Sequence, residues 1–254
     1  MTEQGELKNS PCNPFKHLIL LYISTLQRST MNFEEVFSHH HRPRISRYET
    51  YWDSIAPENN NEIFQRWLFA YTSIHSTWES NVRCYNHIKN FESWINNKEE
   101  LSQRLLDSKA GLHNQRTMNI WDFKNKFFEC PDRFKKSRNE DWTQFRNKLC
   151  HSLRGIGLAK VSFALELCYP NNVEVVCLDV HMLRALGYDT RGYRIDSKKE
   201  LAEYQSAEKI WLDKSKKFGT SPYITRCLYW DIIQGKPDSR YWSHCLESQL
   251  CLEI

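Results

Sequence analysis

Two glycines two residues apart, Gly155 and Gly157, interrupt a long stretch of helical periodicity and constrain the fold more than any other feature. Apolar residues recur every three or four positions over 141–153, which predicts a helix with one buried face. The stretch from 158 to about 169 is apolar nearly all round, which predicts a buried second helix. Glycine permits backbone conformations closed to other residues, and it lets an outside group approach the main-chain N–H groups. The pattern therefore predicts a helix-hairpin-helix over 141–169.

Positive charge is concentrated on this hairpin. Residues 133–160 contain eight Lys or Arg against two acidic residues, a local net charge of +6 in a chain whose total is +4. The glycine turn also precedes a helix N-terminus, where free N–H groups and the helix dipole favour an anion. We therefore expect the turn to bind a phosphate, with Arg154 and Lys160 beside it. Taken alone, the turn also fits a plain connection between two helices.

A lone carboxylate follows the hairpin. After an apolar run over 173–178, Asp179 precedes a short helical segment that should end at Gly187. Asp is among the preferred residues at a helix N-terminus, so a structural cap is the simplest interpretation of Asp179.

Two motifs resemble the signature of the helix-hairpin-helix DNA glycosylase superfamily, which includes endonuclease III, the adenine glycosylase that acts opposite oxoguanine, and oxoguanine glycosylase. They are Leu-Arg-Gly-Ile-Gly-Leu-Ala-Lys at 153–160 and Leu-Asp-Val-His-Met at 178–182. In the family the second motif commonly reads Val-Asp-Val-His or Val-Asp-Thr-His, about twenty residues after the hairpin. The resemblance implies that Asp179 is catalytic, that the hairpin N–H groups hold a DNA phosphate, and that His181 approaches the backbone at the flipped nucleotide.

One position departs from the family pattern. Relatives that also cut the strand carry a lysine two residues after the second glycine, and its amine forms a Schiff base with the sugar. Ala159 occupies that position here. Lys160 is turned about 100° further around the helix, so it is either a displaced nucleophile or a phosphate contact. We favour the contact, which predicts a monofunctional glycosylase.

Two further segments resemble places where the family enters the duplex. The sequence predicts one helix from Glu62 to about Ile74 and another that starts at Trp78, so His75 falls at the break between them. At this break relatives often place a Gln or Asn that fills the gap left by the extruded base. The segment 109–116, Lys-Ala-Gly-Leu-His-Asn-Gln-Arg, resembles the family's Gly-Leu-Tyr-Asn loop, whose leucine wedges between bases. The wedge role falls on Leu112, with Asn114 as a neighbouring DNA contact. The alternative is that Leu112 staples the following helix.

The composition favours an all-α fold, because the 254 residues include only 8 Gly and 8 Pro and few alternating runs. The resemblance implies the two-lobed helix-hairpin-helix glycosylase fold, with the active-site cleft between the lobes. We predict a six-helix lobe at 62–178, a second lobe from 31–61 and 179–254, and an N-terminal extension at 1–30.

No cofactor is predicted. Nine cysteines are scattered without a Cys-x-x-Cys pair, which fits a reducing compartment. Some relatives hold an iron-sulfur cluster on four closely spaced cysteines near the C-terminus, but the last third here offers only Cys227, Cys245 and Cys251, so we predict no cluster. The run Ser38-His39-His40-His41 invites a metal, but adjacent histidines point in different directions, so we also predict no metal site.

No stretch approaches the roughly 18 apolar residues of a membrane helix. A secretory signal is not expected, since acidic residues come first and no small-residue cleavage site follows. The expected protein is a monomer in the cytoplasm or at the nucleoid, without a membrane contact, and its partner is double-stranded DNA.

The leading interpretation is a DNA glycosylase that flips out a damaged or modified base and hydrolyses its N-glycosidic bond. One alternative is a base-modifying transferase of the same fold, resembling the phage alpha-glutamyl or putrescinyl thymidine pyrophosphorylases. Another is a non-catalytic DNA-binding protein in which Asp179 is only a cap. The sequence leaves open which base is recognised, and which aromatic residues line its pocket among Trp67, Trp78, Trp121 and Phe163.

Overall fold

The computed structural model describes residues 33–191, 195 and 198–243. Within these ranges the chain is helical and contains no strand, which confirms the all-α prediction. The predicted extension at 1–30 lies outside the described residues. The α-helices are α1 (Arg42–Ser54), α2 (Asn60–Thr72), α3 (Trp78–Ile88), α4 (Lys98–Asp107), α5 (His113–Glu129), α6 (Trp142–Ser152), α7 (Leu158–Cys168), α8 (Val180–Ala185), α9 (Lys198–Phe218) and α10 (Pro222–Gln234).

Helix ends follow the local signals in the sequence. The two hairpin helices, α6 and α7, lie within a residue of the predicted bounds, and Gly155 and Gly157 fall between them. Helix α10 begins after Ser221, whose hydroxyl accepts from the Ile224 N–H at 3.2 Å. It ends at Gly235, whose φ of 61° is the left-handed conformation that terminates helices.

Helix α2 is central to one group of helices, since it packs against α3, α5 and α7. Helix α4 completes that group on α3 and α5, and α6 packs on α7. Helices α1 and α9 instead pack on α10. The exact limits of the two lobes stay a prediction. In the part of the chain that the structure describes, no helix is long and apolar enough to cross a membrane.

The histidine run differs from the expectation in its geometry. His39–His41 forms a 3-10 helix, and the ring centroids of His40 and His41 are only 3.9 Å apart. The assumption that these two rings diverge is wrong, since they lie against each other at an interplanar angle of 48°. The Ser38 hydroxyl lies 2.6 Å from His40 Nδ1. With Glu35, the two histidines bring three potential ligand atoms within 4.8 Å of one another. The absence of a metal stays a prediction.

Candidate active site

A cavity of about 650 Å³ lies where the loop before α3 meets α7, α8 and α10. Four residues singled out in the sequence line it: His75, Lys160, Asp179 and His181. The other candidates are exposed outside the cavity, namely Leu112, Asn114, Arg154, Gly155 and Gly157. The structure therefore separates the predicted residues into a cavity set and a surface set.

Asp179 caps helix α8 and also lines the cavity. Its Oδ1 accepts hydrogen bonds from the N–H groups of His181 at 2.9 Å and Met182 at 3.0 Å. Both bonds use the same oxygen, so Oδ2 takes no part in the cap. The side chain is half-buried, and the capping bonds fix its orientation at the cavity wall.

The segment before Asp179 is held by buried side chains. Three consecutive N–H groups donate to side-chain acceptors: Val176 to Glu208 Oε1 at 2.8 Å, Cys177 to Glu166 Oε1 at 3.0 Å, and Leu178 to Tyr204 Oη at 3.2 Å. An extended segment without a neighbouring strand leaves its backbone N–H groups unpaired, and here buried side chains accept those hydrogen bonds instead. The backbone that presents Asp179 is therefore fixed from both sides of the residue.

Both buried glutamates are paired with arginines. Glu166 contacts Arg226 at 2.5 Å, and Glu208 contacts Arg146 at 2.5 Å. Burial raises the pKa of each glutamate, while the facing guanidinium opposes that rise. Because Arg146 is fully buried, it does not contribute to the exposed positive surface that the sequence count predicts. The local net charge of +6 counted from the sequence therefore overstates the exposed charge by the one unit of Arg146.

The two hairpin glycines serve different purposes. Gly155 has a φ of 71°, and an added Cβ would lie 1.9 Å from the side-chain nitrogen of Asn119, so both conformation and packing require glycine. Gly157 has an ordinary extended backbone, and an added Cβ would meet no atom of the described residues within 4 Å. The N–H groups of Leu158 and Ala159 are in the first turn of α7 and have no intrahelical acceptor. The turn is therefore open to an outside group at Gly157.

Lys160 is turned towards the cavity. Its Nζ lies 5.6 Å from the ring centroid of Phe163, which lines the same cavity. Ala159, which matches the family's lysine position, is not part of the cavity wall. Lys160, the next residue, lines the same cavity as Asp179.

His75 and Leu112 share an unusual backbone conformation. Their φ angles are 51° and 53°, in the left-handed region that non-glycine residues adopt at a cost of about 1–3 kcal/mol. Leu112 also leaves 53% of its surface exposed, which does not fit a staple on the following helix. Both side chains are exposed on loops next to helix N-termini.

Arg116 connects the two loops, a role that the sequence did not indicate. This buried guanidinium donates to the Gly111 carbonyl at 3.0 Å, beside Leu112. It also donates to three groups around His75: the Thr72 carbonyl at 2.5 Å, the Ile74 carbonyl at 2.9 Å and the Ser76 hydroxyl at 2.8 Å. One side chain therefore fixes both exposed loops relative to each other.

Aromatic residues form much of the cavity wall. Of the four that the sequence left open, Trp78 and Phe163 line the cavity, whereas Trp67 and Trp121 do not. The structure adds residues that no motif marked, since they come from distant parts of the chain: Asn81, Tyr223, Arg226, Cys227, Trp230, Gln234 and Arg240. The cavity wall therefore combines flat aromatic rings with polar side chains.

Comparison with known proteins confirms the resemblance seen in the sequence. The Ogg-HhH family model, described as 8-oxoguanine DNA glycosylase, matches residues 42–220. No protein of curated function gives a significant match. Among solved structures, the Methanocaldococcus jannaschii 8-oxoguanine glycosylase/lyase in complex with DNA containing 8-oxoguanine has a TM-score of 0.63 at 20% identity, covering 84% of this chain and 98% of that one. The Thermotoga maritima 8-oxoguanine DNA glycosylase has a TM-score of 0.63 at 19% identity, covering 85% and 99%. At these identities the likeness establishes the fold.

Proposed function

Because this chain belongs to the Ogg-HhH family of 8-oxoguanine DNA glycosylases, we propose that it extrudes an oxidised base from double-stranded DNA into the 650 Å³ cavity and breaks the N-glycosidic bond there. The observation that carries the proposal is the position of Asp179, whose carboxylate is oriented by its cap bonds at the wall of that cavity. The cavity volume is within the range of roughly 300–1,000 Å³ that is typical of small-molecule sites.

Asp179 would act by charge. As the base departs, the sugar C1′ becomes positive, and a carboxylate about 4 Å away stabilises it by roughly 4 kcal/mol at an effective dielectric constant near 20. The same carboxylate can orient the attacking water. Its fixed backbone matters, because a preoriented charge does not have to reorganise during the reaction.

The exposed residues would hold the opened duplex. Gly157 leaves the first N–H groups of α7 accessible to a DNA phosphate, and Arg154 is exposed beside it. Leu112 and His75 would enter the duplex from the two loops that Arg116 connects. His181 is exposed at the cavity and would approach the backbone of the extruded nucleotide.

Water is the proposed nucleophile, since Ala159 replaces the family's amine. A glycosylase/lyase is a second candidate, and a specific observation favours it: Lys160 lines the same cavity as Asp179. In that reaction the neutral Lys160 amine would attack C1′ as the N-glycosidic bond breaks and the base leaves. Cleavage of the C1′–O4′ bond would then open the sugar to the Schiff base, and β-elimination of the 3′-phosphate would cut the strand.

The deciding experiment incubates the protein with duplexes that each carry one altered base, 8-oxoguanine among them, and analyses the products by mass spectrometry. A released free base supports the glycosylase, and a nucleoside of increased mass supports the transferase alternative. Salt-sensitive binding without any product would leave only a DNA-binding protein. Alkali treatment separates base release from strand cleavage by the protein itself.

A further inference from the structure

Resting on the glycosylase function proposed above, we propose that Arg240, together with Asn81, recognises the extruded base and selects bases that carry a carbonyl oxygen next to a ring N–H at position 6 of a purine or position 4 of a pyrimidine. This pattern occurs in guanine-type and uracil-type bases. In adenine-type and cytosine-type bases an amino group replaces the carbonyl oxygen.

Arg240 is held rigidly in the cavity wall. Its guanidinium carbon lies 4.2 Å from the ring centroid of Trp78 and 5.9 Å from that of Trp230. Its Nη2 donates to Gln234 Oε1 at 2.8 Å, and its backbone N–H donates to Tyr48 Oη at 3.1 Å. The residue is only 8% exposed, so the guanidinium has little freedom to turn away from the cavity.

One nitrogen of this guanidinium is unused. Arg240 Nη1 is buried and has no hydrogen-bond partner among the described residues. A buried charged donor without a partner is destabilising, so the site gains when a ligand supplies an acceptor. The other buried arginine of the cavity differs, because Arg226 is already bonded to Glu166 through two of its nitrogens.

Asn81 supplies a second unused group. It lies one helical turn after Trp78, lines the same cavity and is only 2% exposed. Its Oδ1 is buried without a partner in the described structure. An amide can present either its oxygen or its nitrogen after a rotation, so Asn81 can adapt to a ligand. Arg240 cannot adapt, because a guanidinium has donors only.

The chemistry of Arg240 therefore decides the preference. A base with a carbonyl oxygen at the exocyclic position accepts from Nη1, and its neighbouring ring N–H donates to Asn81 Oδ1. A base with an amino group there would present donors to a charged donor and leave Nη1 unpaired, which is the kind of mismatch that polar sites reject strongly. The aromatic rings of Trp78, Trp230 and Phe163 provide flat surfaces for either kind of base, so they do not discriminate between them.

The test compares matched pairs of bases. Free hypoxanthine and free adenine differ only at the position that Arg240 and Asn81 would contact, since hypoxanthine has a C6 carbonyl beside N1–H and adenine has a C6 amino group beside an unprotonated N1. Their binding is followed by the fluorescence of the cavity tryptophans. We expect wild-type protein to bind hypoxanthine at least tenfold more tightly and Arg240→Met to lose that preference. Equal binding of the two bases by wild type, or a preference that survives in Arg240→Met, would overturn the proposal. Because binding of the free base needs no catalysis, a negative result here would refute base recognition by Arg240, whereas a lack of base release from DNA would refute the proposed glycosylase function.

The same variants are then assayed on DNA. In single-turnover release from duplexes with 5-hydroxyuracil or 5-hydroxycytosine, Arg240→Met should slow release of the first base ten- to a hundredfold and change release of the second less than threefold. Affinity for a duplex with an abasic analogue should also stay within threefold, since that duplex retains the phosphates. A loss of this affinity would instead assign Arg240 to a phosphate and refute base recognition. Arg47→Met is the matched control, because Arg47 is exposed and pairs with Asp238 outside the cavity.

Discussion

Replacing Asp179 by Asn separates its observed role as a helix cap from its proposed role in catalysis. The cap uses only Oδ1, which accepts from the N–H groups of His181 and Met182. An Asn side chain retains that oxygen and caps a helix about as well as Asp. The charge is what the substitution removes. We therefore expect the fold to survive and the reaction to fail.

The expected loss follows from the charge alone. A carboxylate about 4 Å from C1′ contributes roughly 4 kcal/mol at an effective dielectric constant near 20. Removing about 3–4 kcal/mol of transition-state stabilisation slows release by a few hundredfold, since each 1.36 kcal/mol is a factor of ten. Stability should change by no more than about 1 kcal/mol, the size of a lost charge at a helix N-terminus, which shifts Tm by roughly 2–4 °C.

Single-turnover base release, duplex affinity and thermal melting are the measurements. Asp179→Ala is the companion variant, because it removes the charge and the cap together, and it should cost an additional 0.5–2 kcal/mol or so of stability. DNA affinity should remain within a few-fold in Asp179→Asn. Release at a rate near that of wild type in this variant would refute the mechanism and leave Asp179 as a cap.

Three further predictions concern the hairpin, the amine and the exposed loops. Gly157→Val should weaken DNA binding equally for all sequences and leave the circular dichroism unchanged, since the added side chain meets open space; Gly155→Ala should instead lower stability, and unchanged affinity in Gly157→Val would exclude the hairpin as the phosphate site. Borohydride should fail to trap the protein on abasic DNA, and efficient trapping that is lost in Lys160→Ala would instead establish the lyase. If Lys160 only contacts a phosphate, Lys160→Ala should lower the slope of log K against log salt concentration by about one unit. Arg116→Lys keeps the charge but not the fork that bonds both loops, so base release should fall while affinity for undamaged duplex stays within threefold; unchanged release would show that the loops hold their positions without it.

Local signals predicted the helices well because each signal acts within a few residues. Ser221 and Gly235 bound α10 through a capping hydroxyl and a left-handed glycine, and both effects depend on the residue type at one position. The hairpin and Asp179 are also local patterns. The surface charge was less predictable, since Arg146 is neutralised by Glu208, which is 62 residues away in the chain.

The cavity wall could not be predicted in the same way. Asn81 and Arg240 are separated by most of the chain, and neither belongs to a motif. What marks them is a buried polar atom that has no partner among the described residues, and that property exists only after folding. Arg116 is similar, because it donates hydrogen bonds to carbonyl groups that are more than forty residues away in the chain. The sequence shows that these residues are polar, but not which of them are buried.

Asp179 shows why cap and catalyst are not competing interpretations. A carboxylate free to rotate would have to be oriented during the reaction, whereas a capping carboxylate has one oxygen already fixed by two N–H groups. The preceding backbone is fixed as well, through bonds from Val176, Cys177 and Leu178 to buried side chains. The cap thus leaves Oδ2 out of the capping bonds, while Asp179 lines the cavity. In the proposed reaction, a residue type that is common at helix N-termini for reasons of stability would therefore also provide the preoriented charge that bond cleavage at C1′ needs.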